Sequence, residues 1–259
     1  MADLEYDVDQ SVGTIRLNRP DRKNAFTAAM IDEWARLLVA ARTATDVNVI
    51  VVTGAPGAFC SGVDLSGFEG EHTPLDQKTA LTDRIHRVAL ALEDLDKPVI
   101  AAVNGVAAGA GANIALACDL VIAARSATFV QAFSKIGLLP DSGGTWTLPR
   151  LVGNARALGL TLLGNKLPAE QAAAWGMIWQ CVEDAELAGA VDALARQLAE
   201  APTRGLAWTK AAIRGGWQRS LAEQLDVERD AQRELGKSAD YAEGVAAFIE
   251  KRTPRFTGR

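Results

Sequence analysis

The sequence predicts an α/β fold with mainly parallel strands and a helical C-terminal extension. In the first part of the chain, short apolar runs typical of buried strands alternate with segments of helical periodicity. From about residue 154 the pattern is helical, and from residue 201 one helix follows another. No fixed-period repeat, low-complexity tract or linker divides the chain. We therefore expect an α/β core at residues 1–200 and a helical region at residues 201–259.

The first predicted elements are a hairpin, a helix and a buried strand. Residues 4–20 alternate around a turn at Gln10–Gly13, and Pro20 stops the second strand. Thr27 opens a helix whose apolar face is formed by Met30, Trp34, Leu37, Leu38 and Ala41. The run "NVIVVTG" at residues 48–54 follows as a solidly apolar strand of the buried parallel kind.

The same alternation continues along the chain. A second helix has one apolar side, formed by Leu81, Ile85, Val88, Ala89, Leu92 and Leu95. Residues 97–105 form the next strand, and residues 111–118 form a helix that is apolar nearly all round and therefore buried. Two short strands follow at residues 119–124 and 127–131. The last helix begins near Ser238 and carries apolar side chains at Tyr241, Val245, Phe248 and Ile249.

Composition limits the classes of partner. The 259 residues are 49% hydrophobic and 23% charged, which is enough apolar material for a large core. The net charge of -5 and the lack of a basic block argue against a nucleic-acid partner. An odd number of widely spaced cysteines predicts neither a disulfide framework nor a metal site; these are Cys60, Cys118 and Cys181. No signal peptide or membrane-spanning run is recognisable, so we expect a cytoplasmic protein without a membrane partner.

Two glycine-rich loops follow buried strands, at residues 53–65 and 103–119. The second runs directly into a helix, whose first amides lack internal partners and suit an anionic oxygen. A nucleotide-binding loop is one interpretation, but Ile114 occupies the third glycine position of G-x-G-x-x-G and no G-K-[ST] is present. Tight turns and close packing explain the glycines equally well. If both loops presented an amide to one point, they would form an oxyanion hole.

The stretch "LLPDSGGTW" at residues 138–146 places Asp141 after two leucines and a proline and before two glycines. P-D-S-G is a turn signature, and Asp is also a common helix cap. Alternatively, apolar neighbours disfavour the charged carboxylate, which moves its pKa toward useful proton transfer. These nine residues alone leave both interpretations open.

Four motifs together resemble the crotonase, or enoyl-CoA hydratase/isomerase, superfamily: "AFCSGVDL", "KPVIAAVNGVAAGAGANIALACDLVIAA", "GLLPDSGG" and "SADYAEGVAAFIEKRTPRFTG". The match runs essentially end to end, in the family's order. It implies a crotonase-type spiral of ββα units, a homotrimer or dimer of trimers formed through the C-terminal helices, and an acyl-CoA thioester substrate. No cofactor is implied, because CoA is part of the substrate. The motif around Asp141 also resembles the branch that isomerises a ring-epoxidised phenylacetyl-CoA.

The resemblance implies an oxyanion hole made by the backbone amides of Val63 and Ala110, with Gly109 beside them. It further places a set of residues along the CoA and pantetheine path: Lys23, Ala25, Asp64 and Leu65. The other residues expected to bind the substrate are Gly109, Asn113 and Phe133. For Lys23 an ordinary solvated lysine remains an alternative, and for Asp64 a loop-ordering role does. Lys251 lies on the last helix, which in the family can reach the CoA of a neighbouring subunit. A lysine at such a position is more commonly an ordinary surface residue.

The reaction expected from the resemblance is an isomerisation. The two glutamates of the family's hydratases fall at Asn113 and Phe133, and neither residue can act as a general acid or base. A third position, used by double-bond isomerases, coincides with Asp141, and one base suffices for a 1,3-proton shift. Two alternatives remain: a water-adding enzyme that uses Asn113 and Asp141, and a non-catalytic acyl-CoA-binding subunit of a degradation complex.

Other candidate residues carry weaker expectations. Phe68, Phe133 and Trp146 are candidates for an aromatic acyl pocket, although buried aromatic residues more often belong to the core. His72 and His86 lie in no motif, so we expect them to be structural or exposed.

Overall fold

The computed structural model describes residues 2–64 and 75–258. Three residues considered above, Leu65, Phe68 and His72, lie outside the described residues. The strands of the described part are β1 (Leu4–Asp9), β2 (Val12–Leu17), β3 (Val49–Gly54), β4 (Ala58–Cys60), β5 (Val99–Val103), β6 (Val106–Ala108), β7 (Leu120–Ala124), β8 (Thr128–Val130), β9 (Lys166–Pro168) and β10 (Gln180–Val182).

The helices are α1 (Ala28–Thr43), α2 (Leu75–Asp94), α3 (Ala110–Ala117), α4 (Gly144–Leu163), α5 (Ala169–Ala174), α6 (Leu187–Ala199), α7 (Thr203–Gly216), α8 (Leu221–Leu235) and α9 (Ala239–Glu250). The predicted cap is present, because the Thr27 side chain accepts a hydrogen bond from Met30 N. None of the described helices combines the length and the apolar composition needed to cross a membrane.

Two sheets form the core. The larger has the order β1-β2-β3-β5-β7-β10, and the smaller has the order β4-β6-β8-β9. Only the β1–β2 and β8–β9 pairs are antiparallel among the described strands. Every residue of β5 is buried, which explains its uninterrupted apolar sequence. The α/β class with mainly parallel strands is therefore confirmed.

The chain builds both sheets through a repeated ββα unit. In β3–β4–α2, β5–β6–α3 and β7–β8–α4, the first strand joins the larger sheet and the second joins the smaller one. Successive units therefore stack as a spiral. The loops between the strands and helices of neighbouring units lie side by side, which is how segments distant in sequence come together.

Several boundaries differ from the sequence-based expectation. Residues 58–60 and 106–108, predicted as loop, form β4 and β6. The segment predicted as helical from residue 154 contains β9 and β10, and its first helix already begins at Gly144. Three-residue strands are too short to carry a period of two, and they form because an existing strand offers them an edge. The hairpin turn is also shorter than predicted, with Gln10 and Ser11 both at positive φ.

The first C-terminal helix, α7, is attached to the core by charged groups. Lys210 Nζ lies 2.8 Å from Asp119 Oδ2, and Arg214 Nη2 lies 2.7 Å from Asp119 Oδ1. Asp119 also accepts a hydrogen bond of 2.8 Å from Val99 N at the start of β5. Burial lowers the pKa of Lys210, and the charge of Asp119 opposes that shift. One carboxylate thus joins α7 to the sheet.

Candidate active site

In the first glycine-rich loop, the Val63 N–H points away from the segment around Phe26 that pairs with the loop. Val63 forms a parallel bridge with Phe26. Phe26 N donates to Gly62 O at 2.8 Å, and Asp64 N donates to Phe26 O at 3.0 Å. Because adjacent main-chain groups of an extended chain point to opposite sides, the Val63 N–H points away from Phe26.

Glycines bring the two loops into direct contact. A Cβ on Gly62, which has φ +95°, would lie 3.0 Å from Ala108 O and 3.5 Å from Ala110 N. A Cβ on Gly111 would lie 2.9 Å from Cys60 Sγ. Side chains at these two positions would therefore push the loops apart. The packing interpretation of these glycines is correct, and the packing places the loops that carry Val63 and Ala110 against each other.

Ala110 is the first residue of α3, so its N–H has no partner within the helix and lies at the positive end of the helix dipole. Gly109 precedes it with φ +54°, and its own N–H donates to Val130 O at 2.9 Å. The buried Phe133 ring lies beside this turn, because a Cβ on Gly109 would be 3.8 Å from Phe133 Cζ. An apolar ring therefore borders the turn that carries the Ala110 amide.

Asp141 lies in a tight turn that leads into α4. Gly144 N donates to Asp141 O at 2.8 Å, and Ser142 and Gly143 between them have φ values of +51° and +79°. The turn interpretation of Asp141 is thus structurally correct. The carboxyl group takes no part in closing the turn, since only the Asp141 main chain does so.

The Asp141 carboxyl is half-buried, and burial raises its pKa. A hydrogen bond of 2.8 Å from Ser142 Oγ to Asp141 Oδ1 and the charge of His86 act in the opposite direction. The pKa of Asp141 is therefore raised, as predicted, but the residues expected to bury the carboxyl are only partly right. Leu138 and Leu139 are 54% and 74% exposed, so these leucines do not enclose the carboxyl within this chain.

Asn113 connects α3 to the Asp141 turn. It lies one helical turn beyond Ala110 and is 1% exposed. Asn113 Nδ2 donates to Asp141 O at 2.9 Å, and Asn113 Oδ1 accepts from Gln131 Nε2 at 2.7 Å. The Asp141 turn is therefore fixed against the first turn of α3, where the Ala110 amide also lies.

The residues expected along the CoA path surround the first glycine loop. Lys23 is exposed in a left-handed conformation, and its carbonyl accepts from Ser61 N at 3.0 Å. Ala25 is buried. Arg19 Nη1 lies 2.9 Å from Asp64 Oδ2 and donates to Ala25 O at 2.8 Å. Asp64 thus orders the loop next to Val63, as its alternative interpretation predicted.

The remaining candidates have roles in packing or lie at the surface. Trp146 is on the partly exposed surface of α4, where the Arg150 guanidinium stacks over its ring at 3.9 Å. Lys251 is exposed and ends α9 in a left-handed conformation. Burial raises the pKa of Cys60 and of Cys118 to about 12, which fits small packing residues. Among the described residues, no group of three His, Cys, Asp or Glu side chains is arranged to hold a metal ion.

Sequence reasoning missed Gln131, Ser142, Arg19 and the proximity of His86 to Asp141. Apart from Ser142, none of these residues forms a local motif with its partner. For Ser142 a signal was available, because a serine next to a functional aspartate in a glycine-rich turn can donate to its carboxylate. The others depend on how the ββα units stack.

Comparison with known proteins identifies the family. The enoyl-CoA hydratase/isomerase family model matches residues 7–259. The chain is 51% identical over 254 residues to the 1,2-epoxyphenylacetyl-CoA isomerase of Escherichia coli (strain K12), and the match covers 97% of each chain. The chain belongs to the enoyl-CoA hydratase/isomerase family.

Two further relatives match this chain over nearly its whole length, one in sequence and one in structure. A probable enoyl-CoA hydratase of Rhodobacter capsulatus is 47% identical over 256 residues, covering 99% of this chain and 98% of the relative. The crystal structure of enoyl-CoA hydratase from Bacillus anthracis matches with a TM-score of 0.95 at 32% identity, covering 100% of both chains. The crotonase-type fold expected from the motifs is confirmed, and the named isomerase among the relatives supports an isomerase activity.

Proposed function

We propose that this protein is an acyl-CoA isomerase that removes a proton next to the thioester and stabilises the resulting enolate in an oxyanion hole. The observation that carries the proposal is the contact between three segments. The loop of Val63 packs on the first turn of α3, and Asn113 ties the Asp141 turn to that same helical turn. Two amides and one carboxyl group thus belong to one small region.

The Val63 and Ala110 amides supply the electrostatic part of the mechanism. When a proton leaves the carbon next to the thioester, negative charge develops on the carbonyl oxygen. Preorganised N–H donors directed at that oxygen each lower the barrier by about 3 kcal/mol. The dipole of α3 acts on the same oxygen, because Ala110 is its first residue.

Asp141 supplies the base. Its carboxylate takes a proton from C2 and returns it at C4, while the C3–C4 double bond moves to C2–C3; no atom is gained or lost. Partial burial raises the pKa of Asp141, which brings the carboxyl closer to the proton affinity that such a transfer needs. Phe133 and Asn113, at the positions of the hydratase glutamates, supply no second acid or base.

The proposed substrate is ring-1,2-epoxyphenylacetyl-CoA, which would be converted to oxepin-CoA. The carbon–carbon bond shared by the epoxide and the six-membered ring breaks to give the seven-membered oxepin, and both C–O bonds remain. Asp141 then removes the proton from the carbon next to the thioester, which gives an enolate held by Val63 and Ala110. Asp141 returns this proton to the ring carbon two positions along as the double bond moves out of the ring, so no atom is gained or lost. The 51% identical relative named for this substrate supports the choice. The same groups would serve Δ3,Δ2-enoyl-CoA isomerisation. Lys23, Ala25, Asp64 and Leu65 would line the CoA path.

A water-adding reaction is the second candidate, because a relative at 47% identity is named a probable enoyl-CoA hydratase. In this reaction Asp141 would activate water and Asn113 would help to hold it. The position of Asn113 argues against it, since both polar atoms of its amide are already engaged by protein groups.

We further propose that the C-terminal helices form a homotrimer or a dimer of trimers. One face of α9 carries exposed apolar side chains at helical spacing: Tyr241, Val245, Phe248 and Ile249. Faces of this kind mark protein–protein contacts. Sedimentation velocity tests the assembly, and a monomer at micromolar concentration would contradict it.

The test of function compares three substrates: 3-hexenoyl-CoA, crotonyl-CoA and enzymatically generated ring-1,2-epoxyphenylacetyl-CoA. We expect turnover of the first and third and no hydration of the second. The substitution Asp141→Asn should abolish isomerisation, by at least about a hundredfold, and leave acyl-CoA binding nearly intact. Wild-type turnover by this variant would remove Asp141 from the mechanism, and loss of enoyl absorbance from crotonyl-CoA would favour the hydratase.

A further inference from the structure

The Asp141 turn is supported by two buried side-chain amides that have no role in the mechanism above. Asn113 and Gln131 are 1% and 4% exposed. Gln131 Nε2 donates to Asn113 Oδ1 at 2.7 Å, and Asn113 Nδ2 donates to Asp141 O at 2.9 Å. The three groups form a directed chain of hydrogen bonds from the residue after β8 to the main-chain carbonyl of Asp141.

We propose that Asn113, oriented by Gln131, is a positioning residue that fixes the Asp141 carboxylate over the oxyanion hole. The inference rests on the proposed function and deepens it. In this arrangement the asparagine acts on Asp141 through the Asp141 main chain, because both polar atoms of its amide are engaged by protein groups.

Gln131 sets the direction of the Asn113 amide. The Gln131 donor faces Asn113 Oδ1, so the Asn113 Nδ2 donor must face the Asp141 carbonyl. An aspartate at position 113 could accept from Gln131 but would set an acceptor against the Asp141 carbonyl, together with a second negative charge near the base. The hydrogen-bond arrangement therefore requires an amide side chain at position 113.

The turn that Asn113 holds is under backbone strain. Asp141 O accepts from Asn113 Nδ2 and from Gly144 N, which occupies both of its lone pairs. Ser142, buried at 1% exposure, has φ +51°, which is costly for a residue with a side chain. Such a conformation persists only when its surroundings hold it. Loss of the Asn113 bond would therefore let the turn relax and move the carboxyl group.

The absence of a side chain at position 144 is part of this arrangement. A Cβ on Gly144 would overlap the amide of Asn113, with Asn113 Oδ1 only 2.7 Å away. The φ angle of Gly144 is not positive, so alanine is compatible with its backbone. If residue 113 were alanine, the amide atoms that block this methyl group would be absent. Alanine at both positions 113 and 144 would therefore preserve the packing volume but remove the hydrogen bond to Asp141.

The experiment compares Asn113→Ala, Gly144→Ala and the double variant with wild type, using 3-hexenoyl-CoA turnover, acyl-CoA binding and thermal unfolding. A displacement of about 1 Å in a reacting group costs about a hundredfold in rate. We expect each single variant to lose about a hundredfold in kcat with KM changed less than about threefold. The double variant should recover the melting temperature but not kcat.

A matched control is Asn48→Ala, which removes an amide-to-carbonyl hydrogen bond of the same length, 2.9 Å to Ala199 O, before the start of β3. It should lower the melting temperature and leave kcat unchanged. Wild-type kcat in Asn113→Ala, or recovery of kcat in the double variant, would overturn the positioning role. If Asp141→Asn itself retained turnover, the proposed function would fail instead, so the two failures are distinguishable.

Discussion

The Asp141 carboxyl is subject to two opposing influences from its own surroundings. Burial raises its pKa, whereas the hydrogen bond from Ser142 Oγ and the charge of His86 lower it. A base must be deprotonated to act, so its activity is lost as the pH falls through its pKa. Ser142 therefore extends the active range toward acid.

Replacing Ser142 by alanine tests this balance. The substitution removes the donor to Asp141 Oδ1, so the pKa of Asp141 should rise and the acid limb of the kcat/KM profile should move to higher pH. At pH values above the acid limbs of both profiles, where the carboxylate is charged in both proteins, the rates should remain close. A pH–rate profile for 3-hexenoyl-CoA measures the shift. An unchanged acid limb would show that Ser142 does not act on the base that controls the rate.

Local sequence identified only part of this site. Asp141 could be singled out because an acid beside glycines and leucines is locally unusual, and the glycines at positions 62 and 111 signalled close packing. The contributions of Asn113 and Gln131 were not predictable, since an amide-to-carbonyl contact across 28 residues depends on how α3 meets the turn before α4. Leu138 and Leu139 are a second example, because they are close to Asp141 in sequence but exposed, and do not bury its carboxyl group.

At the scale of elements, the attachment of α7 depends on a small ionic cluster. Asp119 joins Lys210, Arg214 and the amide of Val99, and the three charged side chains are only 11–18% exposed. Removing one partner from such a cluster leaves charge in a poorly hydrated place, which costs more than losing a surface ion pair. The cluster therefore holds the C-terminal helices in register with the sheet.

The substitution Asp119→Asn should lower the free energy of unfolding by about 3 kcal/mol. It keeps the size of the side chain but leaves Lys210 without its carboxylate partner and leaves Arg214 paired only with Glu93, whose Oε2 lies 2.7 Å from Arg214 Nη1. The matched control is Asp226→Ala, which breaks the exposed Arg229–Asp226 pair on α8 and should cost less than about 0.5 kcal/mol. Urea unfolding measures both variants. Equal midpoints for the two variants would contradict a structural role for Asp119.

The predictability of an element followed its length. The strands β3 and β5 were evident because each contains an uninterrupted apolar run, of four residues in β3 and of five fully buried residues in β5. The helix α1 was evident because its cap and its apolar periodicity agree. Four three-residue strands, β4, β6, β9 and β10, were missed, because the partner strand rather than the local sequence determines them. The equally short β8 is the exception, since a strand was predicted at residues 127–131. These short strands nevertheless matter to function, since β4 and β6 lead into the loops that carry Val63 and Ala110.

At the scale of the whole molecule, the site results from the stacking of ββα units. Consecutive units place the Val63 loop, the start of α3 and the Asp141 turn together, although 78 residues of sequence separate the first from the last. No local pattern encodes that convergence. The sequence indicated it only through the order of four motifs shared with a family, and the structure adds the physical contacts.

In the proposed mechanism, one carboxylate carries the proton from C2 to C4 while two amides hold the enolate. The most direct test of this mechanism is turnover of 3-hexenoyl-CoA deuterated at C2, with the position of the label in the product read by NMR. A single half-buried base predicts a measurable share of deuterium at C4, and no label transfer in Asp141→Asn. Full turnover of wild type with only solvent hydrogen at C4, or label transfer that survives in Asp141→Asn, would contradict the mechanism.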